Sequence, residues 1–252
     1  MEKTYQFFYP CGKPMVDVQE FIKFYNHAYY WSSKEKPVIK GLKRTAKCIE
    51  EEIDYILKNG IKSKLDVVKI LAWKIGKIRH PDSQRLNTFC YAEDWKNAES
   101  FQVKRYKKDM PLNDVCTYIL KNITELELTA QKDPQGLFEQ LYNQNWYGIG
   151  PVYYYTLLYF LSKGKCPIYD QFAEIALTAI ENGIDPSQKI HYSAPETKKK
   201  YIERYNKYEE NLTIIFNHTY RDTINRQDRS LDRALWVYGH LFKAPSKETE
   251  KR

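Results

Sequence analysis

The chain has 252 residues, 42% of them hydrophobic and 15% aromatic, which is ample for a large core and excludes a disordered or disulfide-stapled miniature protein. Lys and Arg outnumber Asp and Glu by 40 to 32, a formal charge of +8 that suits a polyanionic partner. The five cysteines, Cys11, Cys48, Cys90, Cys116 and Cys166, stand far apart and are odd in number, so they read as reduced core thiols rather than a disulfide framework or a CxxC metal site. The longest nearly apolar run, Ile149 to Leu161, is shorter than the ~20 residues a spanning helix needs. The N-terminus also lacks a secretory signal pattern. The expectation is an intracellular monomer, cytoplasmic or nucleoid-associated, with no membrane contact.

Apolar residues recur at helical spacing along most of the chain. Val18, Phe21, Ile22, Tyr25 and Tyr29 form a first stripe, opened by Asp17 and Glu20 at the spacing of a capping box. A second helix is predicted from about Leu42 to Asn59, stopped by Gly60. Ser63 and Asp66 repeat the cap spacing and open a third, with Leu65, Val68, Leu71, Ala72 and Ile75 facing inward and His80-Pro81 ending it. From His80 to Met110 the sequence is polar, aromatic and without period. Pro111 and Pro134 each introduce a helix, the first burying Leu112, Val115, Cys116, Ile119 and Leu120, the second Leu137, Phe138 and Leu141. Two helices follow a turn at Gly148 to Gly150. A charged helix is predicted from about Pro195 to Asn211 and a last one over Ser230 to Phe242, before a polar tail. The chain reads as all-α, with two packed helical subdomains.

The informative stretch is QGLFEQLYNQNWYGIGPVYYYTLLYFLSKGKCPIYDQFAEIAL, Gln135 to Leu177. Gly148 and Gly150 permit close approach of another molecule, and Pro151 presets the next helix. Amides around Gly148, Ile149 and Gly150 crowd at a helix N-terminus, where partial positive charge and unpaired N–H donors favour a phosphate. Roughly eighteen residues further on, Pro167-Ile168-Tyr169-Asp170 places a carboxylate to cap the helix that buries Phe172, Ile175, Ala176 and Ile180.

In these features the sequence resembles the helix-hairpin-helix DNA glycosylase superfamily, which writes a Gly-hydrophobic-Gly hairpin, a helix, and Val/Ile-x-Asp at the start of the next. The stretch Ser230-Leu-Asp-Arg-Ala-Leu-Trp-Val-Tyr-Gly-His240 is similar to the last helix of 8-oxoguanine-glycosylase-like folds. The resemblance implies one glycosylase-like unit over 1–252, with hairpin and catalytic segment at 135–180 and the C-terminal helix at 230–242. It makes Asp170 the catalytic carboxylate, stabilising the oxocarbenium-like sugar of a flipped nucleotide and orienting water. Tyr147, Gly148, Ile149, Gly150 and Val152 would meet the DNA backbone; Trp236, Asp232 and Tyr155 would form the base pocket.

Bifunctional members carry a nucleophilic lysine two residues past the second hairpin glycine, where this chain has Val152. The resemblance therefore implies a monofunctional glycosylase acting on double-stranded DNA with a modified base. An oxidised purine such as 8-oxoguanine is the first substrate, and a modified pyrimidine in foreign DNA the other. No cofactor is required and no metal is catalytic; a structural alkali or alkaline-earth cation on hairpin carbonyls is compatible. An iron–sulfur cluster needs four closely spaced cysteines near the C-terminus, and the last one here is Cys166.

Trp73, Tyr91, Trp95, Trp146, Tyr153 and the pocket candidates are read mainly as core filler. His80 and Arg85, before Asn87, are the candidates for a wedge. Lys163 and Lys165 read as solvated charges. Lys198, Lys199, Lys200, Arg204 and Lys207, interleaved with Glu203, Glu209 and Glu210, read as a solvated helix face. The alternatives are a non-catalytic helix-hairpin-helix DNA-binding protein and an unrelated all-α protein in which Gly148 to Gly150 is only a turn.

Overall fold

A computed structural model describes residues 5–30, 47–74, 100–102, 109–218 and 228–244. The predicted start of the second helix at Leu42, Ile75, Cys90 and the candidates His80, Arg85, Asn87, Tyr91 and Trp95 lie outside these residues. The described chain is helical apart from one small ladder, and it divides into two compact units. One is drawn from Met1–Arg44 and Tyr169–Arg252, the other from Thr45–Ile168. The boundary falls inside the predicted 135–180 segment, between Ile168 and Tyr169.

The first unit holds α1 (Val18–Tyr29), α8 (Gln171–Asn182), α9 (Lys198–His218) and α10 (Ser230–Phe242). Asp17 caps α1 by accepting from the Glu20 amide at 2.8 Å. The Glu20 carboxylate turns back to the Val16 amide at 2.7 Å and also accepts from the Tyr9 hydroxyl. Phe21, Tyr25 and Tyr29 are buried, as their spacing predicts. Both α1 and α8 pack on α10. Tyr238 lies 5.1 Å from Phe21 and 5.0 Å from Tyr25, ring centre to ring centre. Where α8 meets α10, a Cβ on Gly239 would overlap the backbone carbonyl of Phe172, so only glycine allows the approach.

The second unit holds α2 (Lys47–Asn59), α3 (Lys64–Lys74), α4 (Leu112–Lys121), α5 (Ile123–Lys132), α6 (Pro134–Asn143) and α7 (Pro151–Leu161). Strands β1 (Ser100–Gln102) and β2 (Asp109–Pro111) pair antiparallel, with Phe101 opposite Met110. Pro111 therefore ends a strand, one residue ahead of the helix it was expected to open. The capping box at Ser63 forms in full: Asp66 Oδ2 accepts from the Ser63 amide at 2.8 Å and the Asp66 amide donates to Ser63 Oγ at 3.3 Å. Helix α7 is the centre of the unit, with Tyr154 through Leu161 buried on every face and α3, α5 and α6 packed around it. An apolar helix without a polar side is stable only when surrounded in this way.

Candidate functional site

In the second unit, α6 opens on Asp133, whose carboxylate accepts from the Gly136 amide at 2.9 Å, with Pro134 in its first turn. Beyond α6 the turn closes through the Ile149 amide, which donates to the Trp146 carbonyl at 3.1 Å. Gly148 sits at φ +76, the left-handed region that favours glycine. Gly150 is different: it is extended, caps α7, and a Cβ built on it meets nothing within 4 Å. Internal packing therefore does not demand glycine at 150. Gly150 makes no side-chain cap bond, Pro151 has no N–H, and the Tyr153 amide donates to the Gly150 carbonyl at 2.9 Å.

Around the turn, Ile149 is buried and Tyr147 is 44% exposed. Trp146 packs 5.3 Å from Tyr118 and 6.1 Å from Tyr154. Val152 is half-buried in the first turn of α7, a helix with no lysine. Of the two lysines after α7, Lys163 pairs with Glu127 at 3.7 Å and Lys165 donates to Gln131 at 3.4 Å.

In the first unit, Asp170 is the N-cap of α8. Its backbone is extended, and its carboxylate accepts from the Phe172 amide at 2.8 Å. Its carbonyl accepts from the Glu174 amide at 3.0 Å, starting the helical ladder. Tyr169, just before it, is fully buried and donates to Glu174 Oε2 at 2.5 Å, while Glu174 Oε1 pairs with Arg204 Nε at 2.9 Å. Burial, helped by the Glu174 charge, holds the Tyr169 phenol protonated far beyond the ordinary range. This chain of bonds fixes the entry to α8 and with it the half-buried carboxylate of Asp170.

Aromatic rings from α10 gather where Asp170 is anchored. The Phe172 ring stacks on His240 with centroids 3.5 Å apart and planes at 12°, and Trp236 lies 4.2 Å from His240 and 5.9 Å from Phe172. All three rings are half-buried. Lys243 Nζ stands 4.6 Å from the centre of the Phe172 ring. A carboxylate beside partly exposed aromatic faces can hold a flat unsaturated ring and stabilise positive charge next to it. Phe172 was expected in the core with Ile175, Ala176 and Ile180 but is only half-buried; His240 and Lys243 were not singled out as site residues, although His240 was visible as the end of the last-helix motif, four residues past Trp236.

Two predicted pocket residues have other partners. Asp232 Oδ2 pairs with the guanidinium of Arg229 at 3.3 Å, and that arginine is 1% exposed, so the carboxylate is engaged in compensating a buried charge rather than offered to a base edge. Tyr155 is buried in the second unit, its ring flat on Phe138 at 4.2 Å, and so belongs to the core. On α9, Lys200 pairs with Glu196 at 3.5 Å, Lys199 with Glu203 at 3.9 Å and Arg204 with Glu174, a salt-bridged surface face.

Comparison with protein-family models, with curated proteins and with solved structures finds no match to this chain. Among the described residues no helix is long and apolar enough to cross a membrane. No group of three or more His, Cys, Asp and Glu side chains among them is gathered as a metal site.

Proposed function

We propose that this chain is a DNA glycosylase that flips a modified base out of duplex DNA and hydrolyses its N-glycosidic bond, with Asp170 as the essential carboxylate. The observation that carries the reading is the setting of Asp170: a carboxylate anchored by the Phe172 amide at a helix entry, beside the half-buried rings of Phe172, Trp236 and His240. An extruded base needs unsaturated walls, and its departing sugar needs a fixed negative charge. The hairpin glycines supply a complementary feature, since the open space at Gly150, at the positive end of α7, suits the approach of a phosphate backbone. The net positive charge favours the same partner.

In this mechanism the Asp170 carboxylate stabilises positive charge growing on C1′ as the base leaves and orients the water that replaces it. Preorganised charge of this kind is commonly worth about 10²–10³ in rate. With Val152 where a lysine nucleophile would stand and no amine on α7, the product is an abasic site rather than a cut strand. An oxidised purine such as 8-oxoguanine is the first substrate; a modified pyrimidine of foreign DNA is the second.

The test is release of free bases from oligonucleotides carrying a panel of lesions, read by mass spectrometry, for wild type and Asp170→Asn. Asparagine caps a helix as well as aspartate, so the variant keeps its fold and DNA affinity while release falls at least 10²-fold. Equal release by both proteins overturns the role of Asp170. Binding without release of any base points instead to a non-catalytic DNA-binding protein.

A further inference from the structure

The arrangement of the His240 ring sets its tautomer. Its Nδ1 lies 2.7 Å from the carbonyl oxygen of Trp236. A carbonyl only accepts, so Nδ1 carries the hydrogen, and in the neutral ring the lone pair is left on Nε2. A half-turn of the ring keeps its plane against Phe172 but puts Cδ2 in place of Nδ1 at the Trp236 carbonyl and gives up that bond, so the bond selects this orientation. Phe172 is also the residue whose amide holds the Asp170 carboxylate. One residue thus joins the acid to the imidazole.

The surroundings keep the ring neutral near pH 7. Burial is the largest influence and lowers its pKa below the ordinary value; the bond to Trp236 and the Asp170 charge oppose this, and Lys243 adds to it. Asp170 comes from the entry to α8 and Lys243 from the end of α10.

We propose that His240 is the proton acceptor of the Asp170 site, with Nε2 taking a proton from the attacking water. This rests on the glycosylase reading and assigns a second working group within it. As the C1′–N bond breaks, its electron pair leaves with the base, which takes a proton from solvent. A lone pair of the water oxygen forms the C1′–O bond, one water proton passes to Nε2, and the imidazolium later returns it to solvent. Asp170 supplies the fixed charge throughout and need not change protonation. The division of labour follows from position: a carboxylate held by a backbone amide is a good electrostatic partner, while an imidazole with one nitrogen committed to a carbonyl offers a single defined basic site.

The experiment is single-turnover base release by wild type, His240→Gln and His240→Ala between pH 4.5 and 8.5, with thermal melts of each. Glutamine can donate to the Trp236 carbonyl but cannot accept a proton at Nε2. The expected result is a wild-type rate that falls about tenfold per pH unit on the acid side. His240→Gln should be slowed about 10²-fold and lack that limb. A His240→Gln rate and pH profile matching wild type would overturn the assignment. Nitrogen-15 NMR of the imidazole in the full chain gives a readout independent of activity: hydrogen on Nδ1 of the neutral ring is expected, and hydrogen on Nε2 overturns the proposal. No release by wild type at any pH removes the glycosylase reading and this role together. Release by wild type with an unaltered His240→Gln profile removes His240 alone.

Discussion

His240 shows how much one side chain's surroundings decide. Its pKa is lowered, chiefly by burial, so on acidification the unfolded chain takes up a proton at a higher pH than the folded one. The linkage is then fixed in sign: stability is full above the unfolded value of about 6.5 and is lost as pH falls through the lower folded value. Thermal melts of wild type should show a midpoint falling between pH 7 and pH 5 more steeply than that of His240→Gln. Parallel curves for the two proteins would remove His240 from this part of the acid response. Asp232 makes a similar point about partners. From the sequence it was a candidate to meet a base edge, yet in the fold it pairs with the guanidinium of Arg229, a side chain with no solvent exposure. Replacing it by alanine should cost about 3 kcal/mol in denaturant melts, because a buried charge loses a counter-ion.

At the level of elements, the signals that act within a few residues were readable in advance. Asp17, Ser63 and Asp170 each cap the helix their position announced, Pro134 opens α6 behind an Asp133 cap that was not foreseen, and α10 begins and ends at Ser230 and Phe242. Helix α5 escaped because its pattern is faint: only Leu126 and Ala130 of its residues are buried. Helix α9 continues past Asn211 to a kink at Phe216, because Tyr205, Tyr208 and Leu212 form a buried stripe that its many charges obscure.

Two glycine predictions belong at this scale. Gly239→Ala puts a methyl group into the Phe172 carbonyl, and α8 and α10 must separate, at a cost of about 3 kcal/mol in chemical denaturation. In the hairpin the two glycines should behave oppositely. Gly148→Ala forces a left-handed alanine, which lowers stability by about 1 kcal/mol. Gly150→Ala enters open space and leaves the melting temperature unchanged, while DNA affinity in low salt drops if a phosphate approaches there. Unchanged affinity for Gly150→Ala would argue against that use of the turn.

At the scale of the whole molecule, the tyrosine-rich composition becomes a pH dependence. Burial is the largest influence on Tyr25, Tyr154, Tyr169, Tyr192 and Tyr238, and it raises all five phenols, with Tyr154 and Tyr192 pushed up to about 12. Their folded pKa values exceed the unfolded one, so stability is complete below about pH 10 and is lost as pH rises through the folded values. For Tyr154 alone the loss amounts to about 3 kcal/mol once both states have ionised. Absorbance of tyrosinate followed against pH should show these phenols ionising together with unfolding, in a cooperative step above pH 10. Gradual, independent titration would mean the rings are wetter than their packing indicates.

What could be read from residues in order was whatever depends on near neighbours. Cap spacing, glycine and proline punctuation and the period of apolar stripes all act over a turn or two of helix, so the helical class, most element bounds and the cap position of Asp170 were legible. Which stripes meet is a different kind of fact, because it depends on how separate helices pack. The stack of Phe172 on His240 and the burial of Tyr155 against Phe138 each join residues from different helices, whereas the Arg229–Asp232 pair is local and only the burial of its arginine is tertiary. The consequence, a pair of rings set beside the Asp170 entry and an aromatic ring consigned to the core, arises from desolvation and contact geometry between helices that no local pattern encodes.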